Sequence, residues 1–152
     1  VEAGKTVRRT LHRIGVRKVS TCQVSVIYKA PIASSLLSHF ISAISGGALY
    51  QKASFLLDHL GKPIFPDFVG IHEPPVLKGA MGSPAYGSEG VATAVRNIVQ
   101  DGVLLGYVLG SYSARRLRAE TTGNARGVYN LYDSFWSAGF DGTIKSVGTG
   151  FW

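Results

Sequence analysis

Cysteine is almost missing. Cys22 is the single one among 152 residues, so a module stapled by disulfides is excluded. Charge is thin as well. Charged side chains make up 16% of the chain, against about a quarter in typical soluble domains. Acids are the scarcer sign, 9 against 16 bases, for a net charge of +7. No apolar run reaches the ~18 residues a membrane-spanning helix needs. The longest candidate, residues 103–109, is broken by Gly106. The first residues are polar and basic, with no apolar stretch of the kind a secretory leader carries. There is no Walker A sequence, no internal repeat and no low-complexity segment. Gly82-Ser83-Pro84 lacks the G-x-S-x-G frame of a nucleophile elbow.

What is present argues for one folded domain. Apolar residues reach 45% and mean hydropathy is positive, too much for a disordered chain. The 19 glycines imply many turns and close backbone approaches. The chain opens on Val1 and stops at Phe151-Trp152, directly after Gly148 and Gly150. Aromatic rings at a frayed end have nothing to bury against, so the chain is read as a piece of something longer.

The positive charge is concentrated. Residues 1–29 hold seven bases and one acid, Glu2, for a net of +6; the other 123 residues are at +1. Arg8, Arg9, Arg13, Arg17 and Lys18 are numerous enough to meet phosphates. However, Ala3, Val7, Leu11 and Ile14 fall on one helical stripe, which makes the bases the wet side of an amphipathic helix ending near Gly15. No aromatic residue interleaves with these bases, as a single-strand binder requires. Nucleic acid is therefore not the expected partner.

Further along, residues 22–29 alternate and read as a strand, with Cys22 as a buried structural thiol. A helix is predicted from Pro31 to about Ile44, interrupted by Gly46-Gly47. A second is predicted over residues 48–60, with Gly61 as its stop. Residues 62–88 contain five prolines and read as extended structure and loops. Asp101-Gly102 between residues 91–100 and 103–110 is the strongest hairpin signal in the chain. A short helix over 111–118, a glycine-rich loop over 121–127, a strand over 129–132 and a last helix over 141–147 complete the pass. Without regular βαβ alternation, the expected class is α+β, with mixed helices and a largely antiparallel sheet.

Few side chains offer chemistry. The histidines are His12, His39, His59 and His72. His72-Glu73 has the opening of a zincin motif, but Pro74-Pro75 follows at once, and two ligands at i and i+4 need an unbroken helix. The predicted state is an extended loop with two polar side chains. The 121–127 loop offers backbone N–H groups and Arg126 to a carboxylate or a peptide backbone.

The helix at 31–45 is unusual. At about 100° per residue, Ile32, Ala33, Leu36, Leu37, Phe40, Ile41, Ala43 and Ile44 cover one side. Ser34, Ser35, Ser38, Ser42 and Ser45 fill the other, with His39 at the border. That polar side carries no charge, whereas a solvent-facing helix normally carries Lys and Glu. Neutral hydroxyls suit a face packed against polypeptide, either within its own domain or on a partner.

The run Ser45-Gly46-Gly47-Ala48-Leu49-Tyr50-Gln51-Lys52-Ala53-Ser54-Phe55-Leu56-Leu57-Asp58 resembles the central signature of the TldD/PmbA family, in its PmbA (TldE) branch. Gly90-Val91-Ala92-Thr93, Asp101-Gly102-Val103-Leu104, Ser111-Tyr112-Ser113-Ala114-Arg115-Arg116-Leu117 and Thr121-Thr122-Gly123-Asn124-Ala125 follow in the family's order. The similarity runs through nearly the whole chain and is weakest at 133–140.

The resemblance implies that residues 1–152 are the front part of the C-terminal domain of a longer, two-domain protein. It also implies a cytoplasmic, heteromeric zinc metallopeptidase acting in peptide maturation and on unfolded peptides. In that assembly the TldD-type subunit carries an HExxxH helix, in which His binds zinc and Glu activates water. Laid on this chain, the pattern falls on residues 34–39. Ser34 and Ser35 then replace the first His and the Glu, and His39 alone matches. The implied role is a non-catalytic partner without a metal of its own, zinc being held by the TldD-like subunit. Thr122, Gly123, Asn124 and Arg126 are its candidate peptide contacts. Two alternatives are a self-sufficient metallohydrolase using His39, His59 and His72-Glu73, and a regulator of DNA gyrase, a role also described for the family.

Overall fold

The computed structural model describes residues 2–11, 14–18, 20–24, 26–28, 30–80 and 82–134. Helices α1 (Glu2–Leu11), α2 (Ala30–Ala43) and α3 (Gly46–Tyr50) come first. Strands β1 (Gly70–Glu73), β2 (Arg96–Gln100) and β3 (Val103–Leu104) follow, then helix α4 (Ser111–Leu117) and strand β4 (Tyr132–Ser134). The sheet has the order β3-β2-β1-β4, and all its pairings are antiparallel. The α+β class with an antiparallel sheet is thus the observed one.

The Asp101-Gly102 hairpin forms as read, with Gln100 opposite Val103. Both turn residues have positive φ, 49° and 74°, as a type I′ turn requires. Gly102 has a second reason to be glycine. A Cβ there would collide with the carbonyl oxygen of Phe65 and lie 2.6 Å from that of Pro66. The strands are shorter than the residue pattern suggests. β2 begins only at Arg96 and β3 ends at Leu104.

Ile44, Leu56, Val69, Ile71, Ile98, Val99, Leu104 and Val108 form the main core. From α2, Leu37, Phe40, Ile41 and Ala43 pack against it, with Phe40 edge-on to Phe65 at 5.1 Å between ring centroids. Pro31 sits in the first turn of α2, where its missing N–H costs nothing.

The break after α2 lies one step earlier than the glycine pair. Val108 N–H donates to the carbonyl of Ile44, and Gly46 N–H donates to the carbonyl of Val108. These two bonds pull Ser45 out of the helix into an extended conformation. Its hydroxyl then caps α3 at Ala48 N–H. Gly46 is consequently the first residue of α3 and not a breaker. A Cβ at Gly46 would collide with the side chain of Ser113, so glycine lets α3 and α4 approach closely. The helix predicted over 48–60 is limited to Gly46–Tyr50, since turns follow from Gln51.

Two further expectations are corrected. No named strand covers the described residues within 22–29, and Cys22 is exposed. Among the described residues of this stretch only Val26 makes a β-bridge, and a single bridge does not make a ladder. The extended structure read within residues 62–88 includes β1, an inner strand of the sheet. The strand predicted over 129–132 starts at Tyr132. The helix predicted over 141–147 lies outside the described residues, as does His12. Helix α1 is amphipathic as read, yet Val7 and Leu11 on its apolar stripe are exposed.

Candidate functional site

Helix α2 forms one wall of an apolar groove of about 780 Å³. Leu36, Leu37 and Phe40 line it from the helix; Phe55, Phe65 and Ile71 line it from the opposite side. Among the described residues, Ser34 and His39 are the polar ones on its lining. A smaller recess of about 320 Å³ lies between Ser34, Leu37, Ser38 and Ile41 and the residues Val128 and Leu131. The groove can take up apolar side chains.

The serine face of α2 is solvent-exposed at Ser34, Ser35, Ser38 and Ser42, so it is not interior to this chain. Its hydroxyls are largely satisfied by the helix itself. Ser35 Oγ donates to the Ile32 carbonyl at 2.6 Å, Ser38 Oγ to that of Ser34 at 3.1 Å, and Ser42 Oγ to that of Ser38 at 2.9 Å. A face satisfied this way can be covered without stranding polar groups.

The histidines are dispersed. His39 is on the groove, His59 Nδ1 lies 2.8 Å from the Leu57 carbonyl, and His72 Nδ1 lies 2.6 Å from Asn97 Oδ1. Among the described residues no group of three or more His, Cys, Asp or Glu side chains could hold a metal ion. The set His39, His59 and His72-Glu73 therefore does not assemble a metal centre. A helical zincin motif at His72-Glu73 is also incompatible with their place on β1.

Glu73 is the residue whose role was furthest from legible. It is 1% exposed, not a loop side chain. The β1 register sets it opposite Arg96. Arg96 Nε donates to its Oε2 at 2.7 Å. Asn124 Nδ2 and Tyr129 N–H donate to its Oε1 at 2.8 and 2.9 Å. Three donors, one of them a guanidinium, offset the cost of burying the carboxylate. The one available sequence signal is an acid directly after His72 at the end of a short strand.

This hub anchors the 121–127 loop. Thr122 Oγ1 accepts from Leu109 N–H at 2.9 Å, and the Leu109 carbonyl accepts from the N–H groups of Thr122 and Asn124. Gly123 N–H donates to Thr121 Oγ1, and the Gly123 carbonyl accepts from Tyr129 Oη at 2.7 Å. Thr122, Gly123 and Asn124 are thus engaged within the chain. Arg126 is exposed.

Residues 21–151 match the family model described as the PmbA/TldA metallopeptidase C-terminal domain. The chain is 43% identical over 143 residues to "Metalloprotease PmbA" of Escherichia coli O157:H7, covering 94% of this chain and 32% of that protein. It is 42% identical over 144 residues to a PmbA homologue of Haemophilus influenzae, again covering 94% and 32%. A crystal structure from Bacteroides thetaiotaomicron, of a candidate modulator of DNA gyrase, superposes with a TM-score of 0.89 at 33% identity. That superposition covers 97% of this chain and 33% of the other. The chain spans about a third of the length of the relatives it matches. No helix among the described residues is long and apolar enough to cross a membrane. With the match extending over nearly all of its residues, the chain belongs to the PmbA/TldD family, in the region of its metallopeptidase C-terminal domain.

Proposed function

We propose that this chain is part of a PmbA-type (TldE) subunit that serves a TldD-type zinc metallopeptidase without holding the catalytic metal itself. The observation that carries the reading is α2. Where the family's catalytic branch is expected to place a histidine and a glutamate, this helix places Ser34 and Ser35. The Ser35 hydroxyl is committed to the Ile32 carbonyl, and among the described residues His39 belongs to no group of three or more His, Cys, Asp or Glu that could hold a metal. A serine hydroxyl is a poor zinc ligand at neutral pH and cannot act as a carboxylate base. The residues present do not fit a zinc site, so no hydrolytic step is assigned to this chain.

Its contribution is structural and receptive. The groove beside α2 accepts apolar side chains of an unfolded peptide, and Arg126 offers a guanidinium to a peptide carboxylate. Thr122, Gly123 and Asn124 hold the loop that carries Arg126. The compartment is the cytoplasm, zinc sits in the partner, and cleavage occurs in the joint assembly.

Zinc analysis of the full-length protein purified alone tests this. The expected result is substoichiometric zinc and no peptidase activity until a TldD-type subunit is added. One tightly bound zinc per chain with unaided cleavage would overturn the proposal.

A second reading, modulation of DNA gyrase, draws on the description of the Bacteroides structure and on the exposed bases Lys5 and Arg8 of α1. A salt titration of DNA binding separates the two, because phosphate contacts give a steep slope.

A further inference from the structure

The surface of α3 and α4 carries a compact group of rings and cations. Tyr50 and Tyr112 meet edge to face with centroids 5.6 Å apart, and the Arg116 guanidinium lies 5.9 Å over the Tyr50 ring. Arg115 and Arg116 are exposed in the last turn of α4, Arg118 caps it, and Lys52 is exposed two residues beyond Tyr50. None of these four cations has an ion pair among the described residues, where the Glu73–Arg96 bridge stands alone. Glu89, the acid whose charge Arg115 senses, is already committed to Ser111 at the start of α4.

We infer that this patch docks an acidic segment of the catalytic partner subunit, an inference that rests on the subunit reading above. Tyrosine and arginine are the side chains that concentrate binding energy at protein interfaces. Arginine also grips a carboxylate through two parallel hydrogen bonds. Arg116 is held over its ring before any partner arrives, so less side-chain freedom is lost on docking. Helix α3, which carries Tyr50, contacts both α2 and α4. Two rings among cations that have no ion pair within the described residues make a surface suited to carboxylates of another polypeptide. Single-stranded nucleic acid fits less well. It needs open ring faces for base stacking, and Arg116 already covers a face of Tyr50.

The test measures affinity between the full-length protein and the purified TldD-type subunit by titration calorimetry at two salt concentrations. Arg115→Glu combined with Arg116→Glu is expected to weaken binding at least about tenfold. Arg115→Lys combined with Arg116→Lys keeps the charge but loses the two-pronged grip and the ring stacking, and is expected to weaken binding by about three- to fivefold, less than the charge reversal. Arg116→Ala alone serves as a milder second variant, and circular dichroism checks that each folds. An octaglutamate peptide should compete for the wild-type surface. If the charge-reversed protein binds its partner as tightly as wild type, the docking proposal fails while the subunit reading survives. If wild type does not bind the partner at all, the subunit reading fails and takes this one with it. If a twelve-residue oligothymidylate binds in an arginine-dependent way and octaglutamate does not compete, the patch serves nucleic acid and the proposal is overturned.

Discussion

Arg96 Nε donates to Glu73 Oε2 at 2.7 Å across the β1–β2 ladder, with the glutamate almost wholly buried. The other carboxylate oxygen accepts from Asn124 and Tyr129, so one acid ties the centre of the sheet to the 121–129 segment.

Breaking this pair from the arginine side leaves a buried charge uncompensated. Arg96→Met is expected to cost about 3 kcal/mol. Glu73→Gln is expected to cost less, about 1–2 kcal/mol, because the amide oxygen still accepts from Asn124 and Tyr129. The double variant should lose less than the two single losses added, since no buried charge remains. Urea unfolding of the full-length protein reads all three.

Gly102→Ala should be harmful out of proportion to its size. It forces a side chain into a left-handed conformation and against the carbonyl oxygens of Phe65 and Pro66. A loss of about 2–3 kcal/mol is expected. Asp101→Asn, which tolerates the same turn geometry, should be close to neutral. Thermal melting of the two variants side by side checks this.

Glu89 gives one pH-dependent contribution. The hydroxyl and backbone N–H of Ser111, followed by the charge of Arg115, hold its carboxyl below the ordinary value of 4.5. A group whose pKa falls on folding stabilises above the unfolded value and loses that contribution as pH drops through the folded one. The melting temperature of wild type should therefore fall more steeply than that of Glu89→Gln between pH 5 and pH 3, by roughly a few degrees at most for an exposed group. Parallel slopes would show that Glu89 contributes nothing.

Rebuilding the motif on α2 should not rebuild an enzyme. Ser34→His with Ser35→Glu would set two imidazoles and a carboxylate along the helix, counting His39. No third ligand group stands ready among the described residues. Zinc titration of the double variant is expected to give at best weak binding, and peptidase assays of the variant alone should stay at background. Stoichiometric tight zinc with turnover would show that a further ligand is supplied from elsewhere in the protein.

Features written in neighbouring residues were legible in advance. The hairpin followed from Asp101-Gly102, α4 from its local pattern, and the serine face of α2 from helical spacing alone. The Pro74-Pro75 pair was enough to exclude a metal-binding helix at His72-Glu73. Each depends on backbone geometry within a few residues, which the side chains there dictate directly.

Contacts between distant residues decided the rest. Strand β1 exists because β2 and β4 complete its ladder, and nothing in a proline-rich stretch announces those partners. The start of α3 at Gly46 depends on Val108, and the inward turn of Asn124 depends on Glu73, 51 residues away. A buried carboxylate or an interrupted helix is stable only when its counterpart is delivered by the fold, so the amino-acid sequence determined the local pieces while tertiary packing determined which of them became core, site and surface.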